Sequence, residues 1–158
     1  MKPLLVFYSR TGRTKQVAKI ISEGLNCDYE EIIDTKKRTG FFIGFLRSGY
    51  DAMKENLTVI KEVEKNPEIY DLIILGTPIW GSRMTPAIRT YISENKSKFK
   101  NVAFFCTEGG DQGFKAFEGM ALLCEKEPLS TLEVSKIEIK KGLHSEKINS
   151  FFQELQKS

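Results

Sequence analysis

The stretch Leu4-Leu5-Val6-Phe7-Tyr8-Ser9-Arg10-Thr11-Gly12-Arg13-Thr14 decides how this chain is read. Its first five residues are apolar or aromatic throughout, as suits a strand covered on both faces. Three hydroxyls and one glycine follow at once. From about Arg13 to Leu25 the spacing of Val17, Ile20, Ile21 and Leu25 predicts an amphipathic helix. A strand-to-helix turn of this kind gathers backbone N–H groups at a helix N-terminus, where unpaired donors and roughly half a positive charge reside. Such a turn suits a phosphate. It also suits an ordinary helix start capped by Ser or Thr.

Two nucleotide chemistries can be tested on the letters. A Walker loop needs G-x-x-x-x-G-K-[ST]. Gly12 is the only glycine of the turn, and no Lys-Ser or Lys-Thr follows at that spacing. The dinucleotide fingerprint G-x-G-x-x-G is missing as well. A receiver domain needs a phosphoacceptor Asp after the third strand, where Gly76-Thr77 stands. A tyrosine-phosphatase loop needs C-x5-R, and Gln112 occupies that place after Cys106. His144, the only histidine, stands at the start of the last helix, distant from the expected site, so no Ser-His-Asp arrangement is expected, and a surface position is.

Bulk properties bound the class. The chain has 158 residues, 41% hydrophobic and 28% charged, which suits one globular domain over 1–158. No apolar run reaches membrane-span length, and the first is too short for a signal peptide. A cytoplasmic protein is the expectation. Cys27, Cys106 and Cys124 are far apart and show no C-x-x-C or zinc spacing, so buried reduced thiols and no metal site are expected. The formal charge is +3, with basic residues interleaved with Glu, so nucleic acid is not an expected partner.

Along the chain, strands and helices alternate without an internal linker. Strands are expected at about Pro3–Tyr8, Tyr29–Ile33, Leu72–Gly76, Val102–Thr107 and Leu132–Ile139. Thr85-Pro86 reads as an N-cap followed by an N1 proline. Ile88, Tyr91 and Ile92 continue that helix. Gly113 or Phe114 opens another, with Phe117, Ala121 and Cys124 inward. Ile148, Phe151, Phe152 and Leu155 mark the last. This alternation implies an α/β fold of three layers, a five-stranded parallel sheet between helices on both faces. In the order 2-1-3-4-5 the ligand lies beyond the strand C-termini at the switch point between strands one and three. The turns at Ser9–Thr14, after Gly76 and after Cys106 all meet there.

The second of these turns is Thr77-Pro78-Ile79-Trp80-Gly81-Ser82-Arg83, with the only tryptophan of the chain. The third is Thr107-Glu108-Gly109-Gly110-Asp111-Gln112-Gly113. Taken with S-x-T-G-x-T, they make a chain that resembles the flavodoxin family, short-chain type, over essentially its whole length. The resemblance implies FMN as cofactor. Ser9, Arg10, Thr11, Gly12, Arg13 and Thr14 would hold its phosphate through hydroxyls and backbone, the arginines chiefly by N–H. Pro78, Ile79, Trp80 and Gly81 would lie against one face of the isoalloxazine. The peptide at Gly81 would turn to accept a bond from N5–H of the reduced ring. Thr107, Glu108, Gly109, Gly110 and Asp111 would hold the pyrimidine edge. The third turn lacks the aromatic that often covers the other ring face, although Phe114 follows.

The chain departs from the family in charge. Flavodoxins are strongly acidic near the flavin, whereas Ser82 and Arg83 follow Gly81 here, and Lys36, Lys37, Arg38 and Arg47 precede strand three. Cations favour the anionic, fully reduced flavin, so a less negative second reduction potential is expected. The apolar run Gly40-Phe41-Phe42-Ile43-Gly44-Phe45-Leu46 reads as a docking helix, a lid or a dimer surface. Three functions remain open. One is an electron carrier with a redox partner protein. Another is an NAD(P)H-dependent flavin or quinone reductase. The last is a flavin-free binding module. The chain is expected as monomer or homodimer, with no side chain marked as catalytic.

Overall fold

The computed structural model describes residues 1–35, 56–110 and 113–157. Five parallel strands form one sheet in the order β2-β1-β3-β4-β5. They are β1 (Pro3–Phe7), β2 (Asp28–Glu31), β3 (Leu72–Pro78), β4 (Asn101–Glu108) and β5 (Thr131–Ser135). The helices are α1 (Arg13–Leu25), α2 (Pro86–Asn95), α3 (Phe114–Cys124), α4 (Lys136–Lys141) and α5 (Ser145–Lys157). The expected fold and strand order are both present, and the architecture is flavodoxin-like.

Strand alternation sends Leu4, Val6, Ile73 and Leu75 to one face and Leu5, Phe7, Leu72 and Ile74 to the other. The first set packs with Ile88, Tyr91 and Ile92 of α2 and Met120 and Cys124 of α3. The second packs with Val17, Ala18 and Ile21 of α1 and Ile148, Phe151 and Leu155 of α5. Gly24 and Gly76 make room for rings. A Cβ on Gly24 would stand 2.5 Å from Phe152, and one on Gly76 would stand 2.1 Å from Phe105.

Both sheet edges are covered in part. Beside β2, Thr35 N–H donates to Val59 O at 2.9 Å and Lys61 N–H to Ile33 O at 2.9 Å. The Glu30 carboxylate accepts the N–H groups of Glu64 and Lys65. These contacts hold the segment around residues 59–65 against the end of β2. At the other edge, Lys147 Nζ donates to Glu133 O at 3.2 Å.

Three sequence expectations need correction. The fifth strand ends at Ser135, and Lys136–Ile139 is helical. Ser135 Oγ accepts Glu138 N–H at 3.1 Å while the Glu138 carboxylate accepts Ser135 N–H at 2.8 Å, a capping box that starts α4. Strand two is Asp28–Glu31 rather than Tyr29–Ile33. His144 is 9% exposed rather than a surface residue, with Nδ1 3.4 Å from Glu138 O. Lys36, Lys37, Arg38, Arg47 and the run 40–46 lie outside the described residues.

Candidate functional site

The sheet brings the ends of β1, β3 and β4 together, and side chains tie the turns beyond them to one another. Thr14 Oγ1 lies 2.8 Å from Thr107 Oγ1 in a buried hydroxyl pair. Ile79 N–H donates to Thr107 O at 2.9 Å. Tyr8 meets Trp80 edge to face, with centroids 5.8 Å apart. The Arg10 guanidinium lies over the Trp80 ring, 5.7 Å from its centroid. The first turn is thus joined to the third by hydroxyls and to the second by aromatic and cation–π contacts.

The first turn is shaped as an anion cradle. Gly12 has φ of 86°, a left-handed conformation that admits glycine without strain, and it serves as N-cap of α1. Ser9 Oγ accepts the N–H groups of Gly12 and Lys15, both at 3.2 Å. A hydroxyl that accepts two bonds still has its own hydrogen to donate. Arg13 and Thr14 hold the first two helical positions, whose N–H groups have no intrahelical acceptor. Thr11 and Gly12 are exposed, Ser9, Arg10 and Arg13 half-buried, and Thr14 buried. Thr14 therefore serves the turn chiefly through its bond to Thr107. Lys15 is turned away onto Glu31, at 2.6 Å, which raises the lysine pKa through that hydrogen bond and charge.

The second turn doubles back on itself. Trp80 N–H donates to Arg83 O at 3.0 Å and Arg83 N–H to Trp80 O at 3.1 Å. Gly81 and Ser82 between them both have positive φ, 56° and 61°. This is a type I′ turn, and the non-glycine residue at its second centre carries the strain. Trp80 is half-buried against the core beside Tyr8, and Gly81 is exposed. Behind the turn, Thr77 Oγ1 accepts the N–H of Thr85, the N-cap residue of α2, at 3.1 Å.

In the third turn Glu108 is half-buried and its carboxylate accepts Gly110 N–H. Gly109 and Gly110 are exposed, with nothing within 4 Å of a Cβ built on either, so a ligand edge can approach the backbone. Asp111 lies outside the described residues. Gly113 N–H donates to Glu133 Oε1 at 2.9 Å. Glu133 was not apparent from sequence, although an acid at mid-strand in Thr131-Leu132-Glu133-Val134-Ser135 was its one visible sign. Phe114 is 58% exposed and points into a groove beside β5.

Cys106 and Cys124 are buried, whereas Cys27 is half-buried rather than enclosed. Burial pushes the thiols up, Cys27 to about 11, Cys124 to about 12 and Cys106 higher still. None has the depressed pKa of a nucleophilic cysteine. Among the described residues no cluster of His, Cys, Asp and Glu could hold a metal ion. No helix among them is long and apolar enough to cross a membrane. A groove of about 790 Å³ lies beside β5 rather than at the three turns.

No family model matches this sequence, and no curated protein matches it. Solved structures share its fold. A flavoprotein from Lactobacillus acidophilus in complex with FMN is 20% identical, covering 91% of this chain and 98% of that one, with a TM-score of 0.71. The apo form of the flavoprotein from the same organism, solved by NMR, is 20% identical over 89% and 95% of the two chains, with a TM-score of 0.63. Oxidised flavodoxin from Bacillus cereus is 16% identical over 99% and 98%, with a TM-score of 0.54. At these identities the likeness concerns the fold.

Proposed function

We propose that this chain is a single-domain cytoplasmic redox protein that binds FMN across the three joined turns and carries electrons through it. The observation that supports this most is the tying of all three turns at the switch point, through Thr14–Thr107, Ile79–Thr107 and Arg10–Trp80. The fold of proteins solved as flavoproteins adds to it.

The residues present fit the cofactor. The Ser9 hydroxyl and the N–H groups at the start of α1 bind the phosphate, and the helix dipole favours its charge. Gly12 keeps the turn open to it. Trp80 and Ile79 offer apolar surface to the ring, and the Gly81 turn presents its peptide groups beside Trp80. Thr107, Glu108, Gly109 and Gly110 approach the polar edge through backbone, and Asp111 is next in the sequence. FMN, when bound, supplies the one- and two-electron chemistry, while the protein supplies position and charge. Arg10 places a cation over Trp80, which favours added negative charge on a neighbouring ring.

The test is direct. Protein mixed with FMN and freed of excess by gel filtration is expected to be yellow, with the Trp80 emission quenched. A colourless protein overturns the reading and leaves the flavin-free binding module. A reductive titration that resolves two one-electron steps supports the carrier. Steady NAD(P)H oxidation with a quinone acceptor favours the reductase instead.

A further inference from the structure

Strand β5 is the edge of the sheet, and along it runs a groove of about 790 Å³ between α3 and α5. Its floor is apolar, with Phe117, Ala121 and Leu132, and Phe114 stands 58% exposed at the end nearest the third turn. Its polar wall is of one sign. Glu118, Glu127, Glu133, Glu146 and Glu154 line it, against Lys147 as the one cation among the described residues of the lining. That lysine is paired with Glu138 at 2.6 Å. In a chain of formal charge +3, this concentration of carboxylates around exposed aromatic surface runs against the composition.

We infer that the groove docks a cationic amphipathic helix of a protein partner. Charge complementarity selects the sign, because basic side chains at the rim meet carboxylates while apolar ones cover Phe114 and Phe117. The hydrogen bonding of the edge favours a helix over an added strand. The Glu133 carbonyl of the edge is taken by Lys147, and the Ser135 N–H by Glu138, so a docking strand finds its ladder interrupted. Glu133 makes the surface consequential. Its Oε1 holds Gly113 N–H at the end of the third turn, while the same side chain lines the groove. A partner cation drawn to Glu133 competes for the carboxylate that fixes that turn.

The test follows backbone amides by NMR as the full chain is titrated with a synthetic Lys/Leu amphipathic peptide and with a Glu/Leu peptide of the same pattern. The lysine peptide is expected to shift Gly113, Phe114, Leu132 and Glu133. The glutamate peptide is expected to shift none of them. A Glu127→Lys/Glu146→Lys variant, altered only at exposed rim positions, is expected to melt as the parent does and to bind the lysine peptide about tenfold more weakly. Shifts centred elsewhere, no shift at all, an equal response to both peptides, or undiminished binding by the variant each overturn the proposal. The titration needs no flavin, so its failure leaves the FMN reading standing, and the reverse holds too.

Discussion

Thr14 and Thr107, 93 residues apart, share one buried hydrogen bond, with their hydroxyl oxygens separated by 2.8 Å. One sits in the first turn of α1 and the other near the end of β4. The bond therefore locks the end of the anion cradle to the start of the third turn. Thr107→Val leaves the Thr14 hydroxyl buried without its partner and is expected to cost about 1–3 kcal/mol in denaturant unfolding. Thr14→Val is expected to act similarly. The double variant should cost clearly less than the sum, because both ends of the bond leave together. Strict additivity would show that the pair does not couple.

Gly12 and Gly109 separate backbone conformation from space. Neither has an atom within 4 Å of a built Cβ, but Gly12 has φ of +86°. Gly12→Ala is therefore expected to lose about 1–2 kcal/mol from the left-handed conformation alone. Gly12→Asn should lose less, since asparagine tolerates that region. Gly109→Ala is expected to leave stability unchanged. Urea midpoints check all three, and equal losses at Gly12 and Gly109 would contradict the account.

Tyr91 is fully buried, and its hydroxyl has no hydrogen-bond partner among the described residues. Burial pushes its pKa up further than any nearby charge does. An unsatisfied buried hydroxyl costs free energy that its removal recovers. Tyr91→Phe keeps the ring stacked beside Phe99 and is expected to raise stability by about 1 kcal/mol. A loss of that size on thermal melting would show that the hydroxyl is satisfied.

Glu138 caps α4 and accepts a bond from Lys147, whose hydrogen bond is the main cause holding its carboxyl below the ordinary range, against partial desolvation. The folded carboxyl thus binds its proton more weakly than the unfolded one. Its stabilising contribution is complete above the unfolded-state pKa and is lost as pH falls through the folded value. Glu138→Gln is expected to be less stable than the parent near neutrality. The difference should shrink as the pH falls from about 5 to below about 4. A difference constant with pH would show that charge plays no part at this cap.

Much of this was legible in the letters because it depends on near neighbours in sequence. The apolar run Leu4–Tyr8, the helix periodicity from Arg13 and the Thr85-Pro86 start each declare themselves locally, and helix α1 begins and ends where the pattern places it. The S-x-x-E box at Ser135 was equally local, yet the fifth strand was expected to run on to Ile139. There the cap prevails, because it satisfies two backbone donors that an edge strand leaves open.

By itself, then, the sequence determined the alternation of strands and helices that implies a parallel α/β sheet, and the three turns at its strand ends. Hydrophobic period and turn chemistry are properties of adjacent residues. Only the tertiary structure decided what binds those turns together and what surrounds them. No spacing predicts that Thr14 reaches Thr107, that Arg10 covers Trp80, or that Glu133 holds Gly113 while five glutamates gather along one edge. Such contacts arise where distant elements meet, and their partners are chosen by the packing of the sheet.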